Sequence, residues 1–226
     1  MKILYGIQGT GNGHISRARM LARHFQKTNI DVTYLFSGRD RDDFFDMEIF
    51  GEFICVRGLT FYSVDGAVSY KKTLLNNNFF QFMADVISLD VTPYDLIITD
   101  FEPVCAWAGK LCGAQTIGIG HQYAFNHNIP RAGDNPLTRS IMRYFSPASI
   151  SMGLHWDHFG NNTILPPIID TEHTALTTEQ CGTGETEKEI LVYLPFENQD
   201  AVQKLLLPHK NYCFTVYAAQ NTDQDL

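Results

Sequence analysis

Nowhere in the 226 residues is there an apolar run long enough to cross a bilayer, which takes about 20 residues. The N-terminus, MKILYGIQGTG, passes from a short apolar stretch straight into glycines, so neither a signal peptide nor a membrane span is expected. Positive charge is scarce: 17 Lys and Arg stand against 25 Asp and Glu, for a net charge of −8, and no basic block interrupts the deficit. That balance argues against a partner with a phosphate backbone, so no nucleic acid is expected. The local group Arg17, Arg19 and Arg23 reads as one polar face of a helix. The cysteines (55, 105, 112, 181 and 213) are odd in number, far apart and never spaced C-x-x-C, which excludes a disulfide framework and favours reduced thiols in the cytoplasm. Asn161-Asn162-Thr163 matches a glycosylation sequon, read as a chance match in a chain with no secretory signal. No internal repeat of useful length is visible. A 44% apolar share with 16 Phe and 10 Tyr is, by contrast, ample for a packed core.

The apolar segments alternate in kind. Lys2–Gln8, Asp31–Phe36, Phe53–Val56, Leu96–Thr99 and Gln115–Ile119 are short runs of the sort that parallel strands, buried on both faces, require. Between them, His14–Lys27 carries Ile15, Ala18, Leu21, Ala22 and Phe25 at helical spacing, and Arg41–Phe50, Lys71–Leu89 and Pro103–Cys112 also read as helices. Gly58–Tyr70 and Gly120–Asn135 read as loops, Leu137–Tyr144 as a helix, and 148–152 and 163–165 as short extended pieces. This order predicts an α/β fold with a doubly wound parallel sheet over residues 1–168. After Pro166-Pro167 the composition turns to Thr, Glu and Gly, as in a linker over 169–188. Strand, helix and strand then restart over 189–226, the expected beginning of a second α/β domain that stops incomplete.

Chemistry is expected where strands meet helices at one sheet edge. Gly9-Thr10-Gly11-Asn12-Gly13-His14 links the first strand to the first helix, where glycines allow a sharp turn and the close approach of a ligand to free N–H groups. A purely structural role for these glycines stays open. So does a dinucleotide site, although His14 replaces the third glycine of that fingerprint and Ser37-Gly38-Arg39 replaces its acidic residue, leaving Arg39 for a 2′-phosphate. No Gly-Lys-Ser/Thr follows the loop, so the phosphate loop of nucleotide triphosphatases is excluded. Asp100 and Glu102 follow the fourth strand, where either could support His14 or act as a base; Asp100 is equally a candidate N-cap, with Glu102 in the first turn. His121, Gln122, Tyr123 and Asn126 follow the next strand and could line a pocket. His155-Trp156-Asp157-His158 offers too few ligands for a zinc site, so no metal is expected.

GTGNGHISRA resembles the glycine-rich N-terminal loop of GT-B glycosyltransferases, such as the enzyme that adds N-acetylglucosamine to peptidoglycan lipid precursors. YDLIITDFEPVCAWAGKLCGAQTIGIGHQ is similar to their later acceptor-domain signature, and TILPPIID to the segment entering the interdomain linker. Together these cover most of residues 1–170. The resemblance implies a Rossmann-like acceptor domain that works without metal or cofactor, with His14, Asp100 and Glu102 as catalytic candidates and Gly11, Asn12, Gly13, His121, Gln122 and Tyr123 facing substrate. It further implies a nucleotide-sugar donor, held by a second domain of which only the start is present, so that the chain alone should be inactive. The acceptor would be a sugar or a lipid-linked molecule, the latter implying peripheral association with a membrane. An NADP-linked oxidoreductase, a sugar-nucleotide epimerase and a non-catalytic sugar- or lipid-binding domain are the rival readings.

Overall fold

The computed structural model describes residues 1–64, 67–131, 135–170, 188–194 and 197–217. In chain order the elements are β1 (Lys2–Gln8), α1 (Asn12–Phe25), β2 (Asp31–Ser37), β3 (Phe53–Cys55), β4 (Ser63–Val64), β5 (Ala67–Val68), α2 (Tyr70–Asn76), α3 (Phe79–Ser88), β6 (Leu96–Asp100) and α4 (Pro103–Cys112). They continue with β7 (Thr116–Gly120), α5 (His121–Ala124), α6 (Pro136–Tyr144), β8 (Ile150–Leu154), β9 (Ile164–Leu165), β10 (Lys188–Tyr193), α7 (Gln199–Leu206) and β11 (Tyr212–Tyr217). The chain divides into two compact units, one of Met1–Thr60 with Asn78–Asp170 and one of Phe61–Asn77 with Thr171–Leu226. The linker expected over 169–188 lies outside the described residues from 171 to 187.

The first unit is built on a seven-stranded sheet in the order β3-β2-β1-β6-β7-β8-β9, with every pairing parallel. Successive β1 residues serve opposite faces. Ile3, Tyr5 and Ile7 pack with Ile15, Ala18 and Ala22 of α1 on one side. Leu4 joins Leu35 and Ile97 against Phe82 and Val86 of α3 and Val104 and Ala108 of α4 on the other. Two helical layers thus enclose one sheet, the doubly wound arrangement that the continuous apolar runs demand. The chain winds outward from β1 through β2 to β3, then returns to start again at β6 on the opposite flank of β1. Ligand crevices in such sheets form at this reversal, outside the strand C-termini.

Three local expectations are corrected. Arg41–Phe50 forms no α-helix; two short 3-10 turns, Arg41–Asp43 and Glu48–Phe50, flank a break at Asp46, whose φ is 51°. The break lets Phe44 and Phe50 turn back onto Phe36. The helix expected over Lys71–Leu89 is two helices, because the Asn78 side chain caps a new start by accepting from Gln81 N–H. The segment 120–135 is not all loop, since His121–Ala124 forms the short helix α5.

In the second unit β10 and β11 pair in parallel, joined by α7, and Asn198 caps α7 by accepting from Ala201 N–H. β4 and β5 form a two-residue antiparallel pair ahead of α2, which Ser69 caps. Among the described residues no helix is long and apolar enough to cross a membrane.

Candidate functional site

β1 hands the chain to the glycine loop and α1, while β6 lies parallel beside it with Asp100 in register with Ile7. This places the third residue of α1, His14, over the end of β6. His14 Nδ1 lies 2.7 Å from Asp100 Oδ1. One turn along α1, Arg17 grips the same carboxylate with both arms, donating from Nε to Oδ2 and from Nη2 to Oδ1, each at 2.7 Å. Arg17, read from the sequence as part of a polar helix face, is turned inward onto this buried carboxylate. Its spacing of three from His14 was the available sign, since such residues share a helix face.

The Asp100 side chain is completely buried. Burial pushes its carboxyl pKa up, but the electrostatic pull and hydrogen bonds of the His14 ring and the Arg17 guanidinium outweigh that and hold it below the usual carboxylate range. Burial likewise works against the Arg17 charge, yet Asp100 overrides it and raises the guanidinium pKa. An ionised carboxylate only accepts, so the imidazole proton belongs on His14 Nδ1 and the lone pair on Nε2. Arg17 Nη2, 3.2 Å from Nδ1, is then one donor beside another rather than a bonded pair. Gln122 Nε2 lies 3.4 Å from His14 Nε2.

The turn after β6 fixes this arrangement and reassigns two residues. Phe101 adopts a left-handed φ of 55°, and Glu102, not Asp100, is the N-cap of α4. Glu102 accepts from Val104 N–H, Cys105 N–H and the Ser37 hydroxyl at 2.7–2.9 Å, deep in the core. Burial raises its pKa above the usual value in spite of those bonds. With both oxygens so occupied, Glu102 supports the elbow and is not presented to a substrate, contrary to the expectation of a catalytic role. Thr99 Oγ1 accepts from Glu102 N–H and lies 2.9 Å from Ser146 Oγ. Tyr123 completes this layer. It is 1% exposed and donates to Ser146 O, so it is a wall of the core rather than a substrate contact.

Among the described residues, and apart from the adjoining backbone, nothing lies within 4 Å of the position a Cβ would take at Gly11 or Gly13, and neither has a positive φ. Their value is open space over the start of α1, not a sharp turn. Only Gly9 is packed, with Phe44 and Ser37 O each 2.8 Å from its hypothetical Cβ. Asn12 Oδ1 accepts from Arg39, which also bonds Thr10 O. Arg39 therefore clasps the loop, which removes the argument for a 2′-phosphate partner. His121 sits at the same sheet edge, its Nδ1 3.2 Å from Leu154 O, with its ring stacked on His155. His155 and His158 each spend Nδ1 accepting a backbone N–H two residues on. Among the described residues no group of three or more His, Cys, Asp or Glu is placed to hold a metal ion. A groove of about 810 Å³ runs between α4, α6 and β8, lined by Lys110, Arg139 and Arg143 among others; His14, Asp100 and Gln122 do not line it.

Against solved structures the chain is similar in fold to the glycosyltransferase SsfS6 of Streptomyces sp. SF2575, at 10% identity and a TM-score of 0.52, covering 99% of this chain and 69% of that one. The same enzyme complexed with thymidine diphosphate gives 10% identity and a TM-score of 0.53, covering 97% and 68%. MurG of Acinetobacter baumannii gives 10% identity and a TM-score of 0.41, covering 98% and 68%. No curated protein matches significantly. The sequence pattern of the family described as "Glycosyl transferase family 1" matches residues 1–225, nearly the whole chain. The chain, with its seven-stranded parallel sheet, belongs to glycosyl transferase family 1.

Proposed function

We propose that this chain presents an acceptor hydroxyl to His14 Nε2 for transfer of a hexosyl group from a nucleotide-sugar. The hydroxyl oxygen attacks the anomeric carbon, its proton passes to Nε2, and the bond to the nucleotide diphosphate breaks with its electron pair leaving on the diphosphate. Asp100 keeps the Nδ1–H tautomer and offsets the imidazolium charge that forms, as a buried carboxylate does in other acid–base pairs. The observation that carries this reading is the 2.7 Å bond between His14 Nδ1 and a fully buried Asp100. SsfS6 has been seen with thymidine diphosphate, which supports a diphosphate leaving group here. Gly11 and Gly13 leave room beside His14 for the acceptor, a sugar or a lipid-linked molecule. His121 borders the same edge.

The chain spans 69% of the length of SsfS6. On its own it is expected neither to bind a nucleotide-sugar tightly nor to transfer sugar, which calorimetric titration with uridine and thymidine diphosphate sugars, with an assay for product, checks directly. Where this chain is continued by a complete second α/β domain, His14→Ala is expected to lower transfer by at least about 100-fold at an unchanged unfolding midpoint. Retained turnover in that variant would remove His14 from the chemistry.

A further inference from the structure

We propose that Gln122 is a positioning residue for His14, whose carboxamide holds the free imidazole nitrogen in the acceptor-free protein and turns over when that nitrogen takes a proton. The inference rests on the His14–Asp100 reading above and concerns what happens at the other ring nitrogen. With the proton on Nδ1, His14 Nε2 is an acceptor, and the group facing it is the Gln122 amide nitrogen at 3.4 Å. That orientation has a cost. Gln122 Oε1 is buried with no hydrogen-bond partner among the described residues.

The surroundings of Oε1 also offer an acceptor to the opposite orientation. Gly120, φ 153°, has no side chain, and the point its Cβ would occupy lies 2.9 Å from Asp100 Oδ1, 3.4 Å from Gln122 Oε1 and 3.6 Å from Arg17 Nη2. A turned amide would bring its N–H donors into a space bordered by the Asp100 carboxylate oxygen as well as by the Arg17 guanidinium. Its Oε1 would then face His14 Nε2, and two acceptors would meet unless Nε2 carries a proton. Each orientation of the carboxamide is therefore matched to one protonation state of the ring: nitrogen inward for neutral imidazole, oxygen inward for imidazolium. The groups that face His14 are Asp100 from β6, Arg17 from α1 and Gln122 from α5. Asp100 and Arg17 are locked to each other by two bonds. Gln122 is the partner whose donor and acceptor can exchange. Proton transfer from an acceptor hydroxyl would thus be answered by rotation of one neutral side chain, with no movement of the buried charges.

The test is nuclear magnetic resonance on the full 226-residue chain, following the His14 ring nitrogens and the Gln122 side-chain amide through the pH range in which His14 titrates. The expected result is that the Gln122 amide resonances move in step with the His14 ring. In Gln122→Met, of similar volume but without the amide, the His14 Nε2 resonance should move toward that of an unbonded imine nitrogen while the Nδ1–H tautomer persists. Gln122 resonances that ignore the His14 titration, or an Nε2 resonance unmoved in Gln122→Met, would overturn the proposal and leave the His14–Asp100 reading standing. A wild-type His14 in the Nε2–H tautomer would overturn both. A residue of merely structural importance would shift the unfolding midpoint without altering the Nε2 resonance.

Discussion

β1–α1–β2 and β10–α7–β11 are the same topological piece made twice, two parallel strands joined by one helix, yet their apolar residues meet opposite fates. In the first, Ile3, Leu4 and Ile7 of β1 and Ile15 and Ala18 of α1 are buried. In the second, Leu191 and Leu205 are each 66% exposed, Tyr193 is 57% exposed, and Val202 is the buried residue of α7. Both pieces have the strand pairing that local sequence can specify, and α7, unlike α1, has a side-chain N-cap as well. What separates them is supplied from far along the chain. β1 is flanked by β6 as well as β2, and its second face is covered by α3 and α4. A β-α-β unit is therefore legible and formable locally, but its hydrophobic stabilisation is a property of its neighbours.

The contrast can be broken or sharpened by substitution, followed by urea unfolding monitored separately in each unit. Asp100→Ala should have the largest effect, about 3–5 kcal/mol lost from the first unit, because His14 and Arg17 keep their place without the buried carboxylate. The same variant should lose part of the acid sensitivity of the wild type. A depressed carboxyl pKa contributes stability that is complete above the ordinary carboxylate value and disappears as pH falls through the lowered folded value. Glu102, raised instead of lowered, works the other way: its contribution is present at lower pH and is lost as pH rises through the folded value. An unaltered acid limb in Asp100→Ala would show that the carboxylate is not ionised as described. Next, Ile7→Ala should cost about 2–5 kcal/mol through the cavity it opens between β1 and α1. Smallest, Leu191→Ala should stay within about 0.5 kcal/mol, as exposed positions do. Should Leu191→Ala cost as much as Ile7→Ala, the two pieces would not differ in the way their exposures indicate.

Most of the sheet could be read from the sequence because strands buried on both faces leave continuous apolar runs, which glycines and acidic residues then punctuate. The meeting of the glycine loop, Asp100 and His121 at one edge followed from strand direction alone. Other features were hidden for physical reasons. Arg17 is drawn inward by a carboxylate 83 residues away; its spacing of three puts it on the helix face of His14 but does not name that partner. Asp100-Phe101-Glu102-Pro103 offers two acidic capping candidates, and the left-handed Phe101 decides between them by moving the helix start two residues on. Tyr123 looked like a loop residue until α5 formed and turned its ring under Gly118, where even a Cβ would collide with it. The acidic stretch after β2 has the residues of a helix, but aromatic packing onto Phe36 prevailed over helix propensity.

α6 buries none of its residues, while the segment directly after it is pinned by Phe145, whose ring stacks on Phe101 at 4.9 Å. The outward-facing side chains of α6 thus lie apart from the elbow that holds Asp100, which the chain meets through Phe145. For a lineage of such proteins this is room to drift: exchanges on α6 can accumulate at little cost in stability, and none of them touches the His14–Asp100–Arg17 cluster. Novelty in what the surface meets can then be explored by descent while that buried cluster is inherited unchanged.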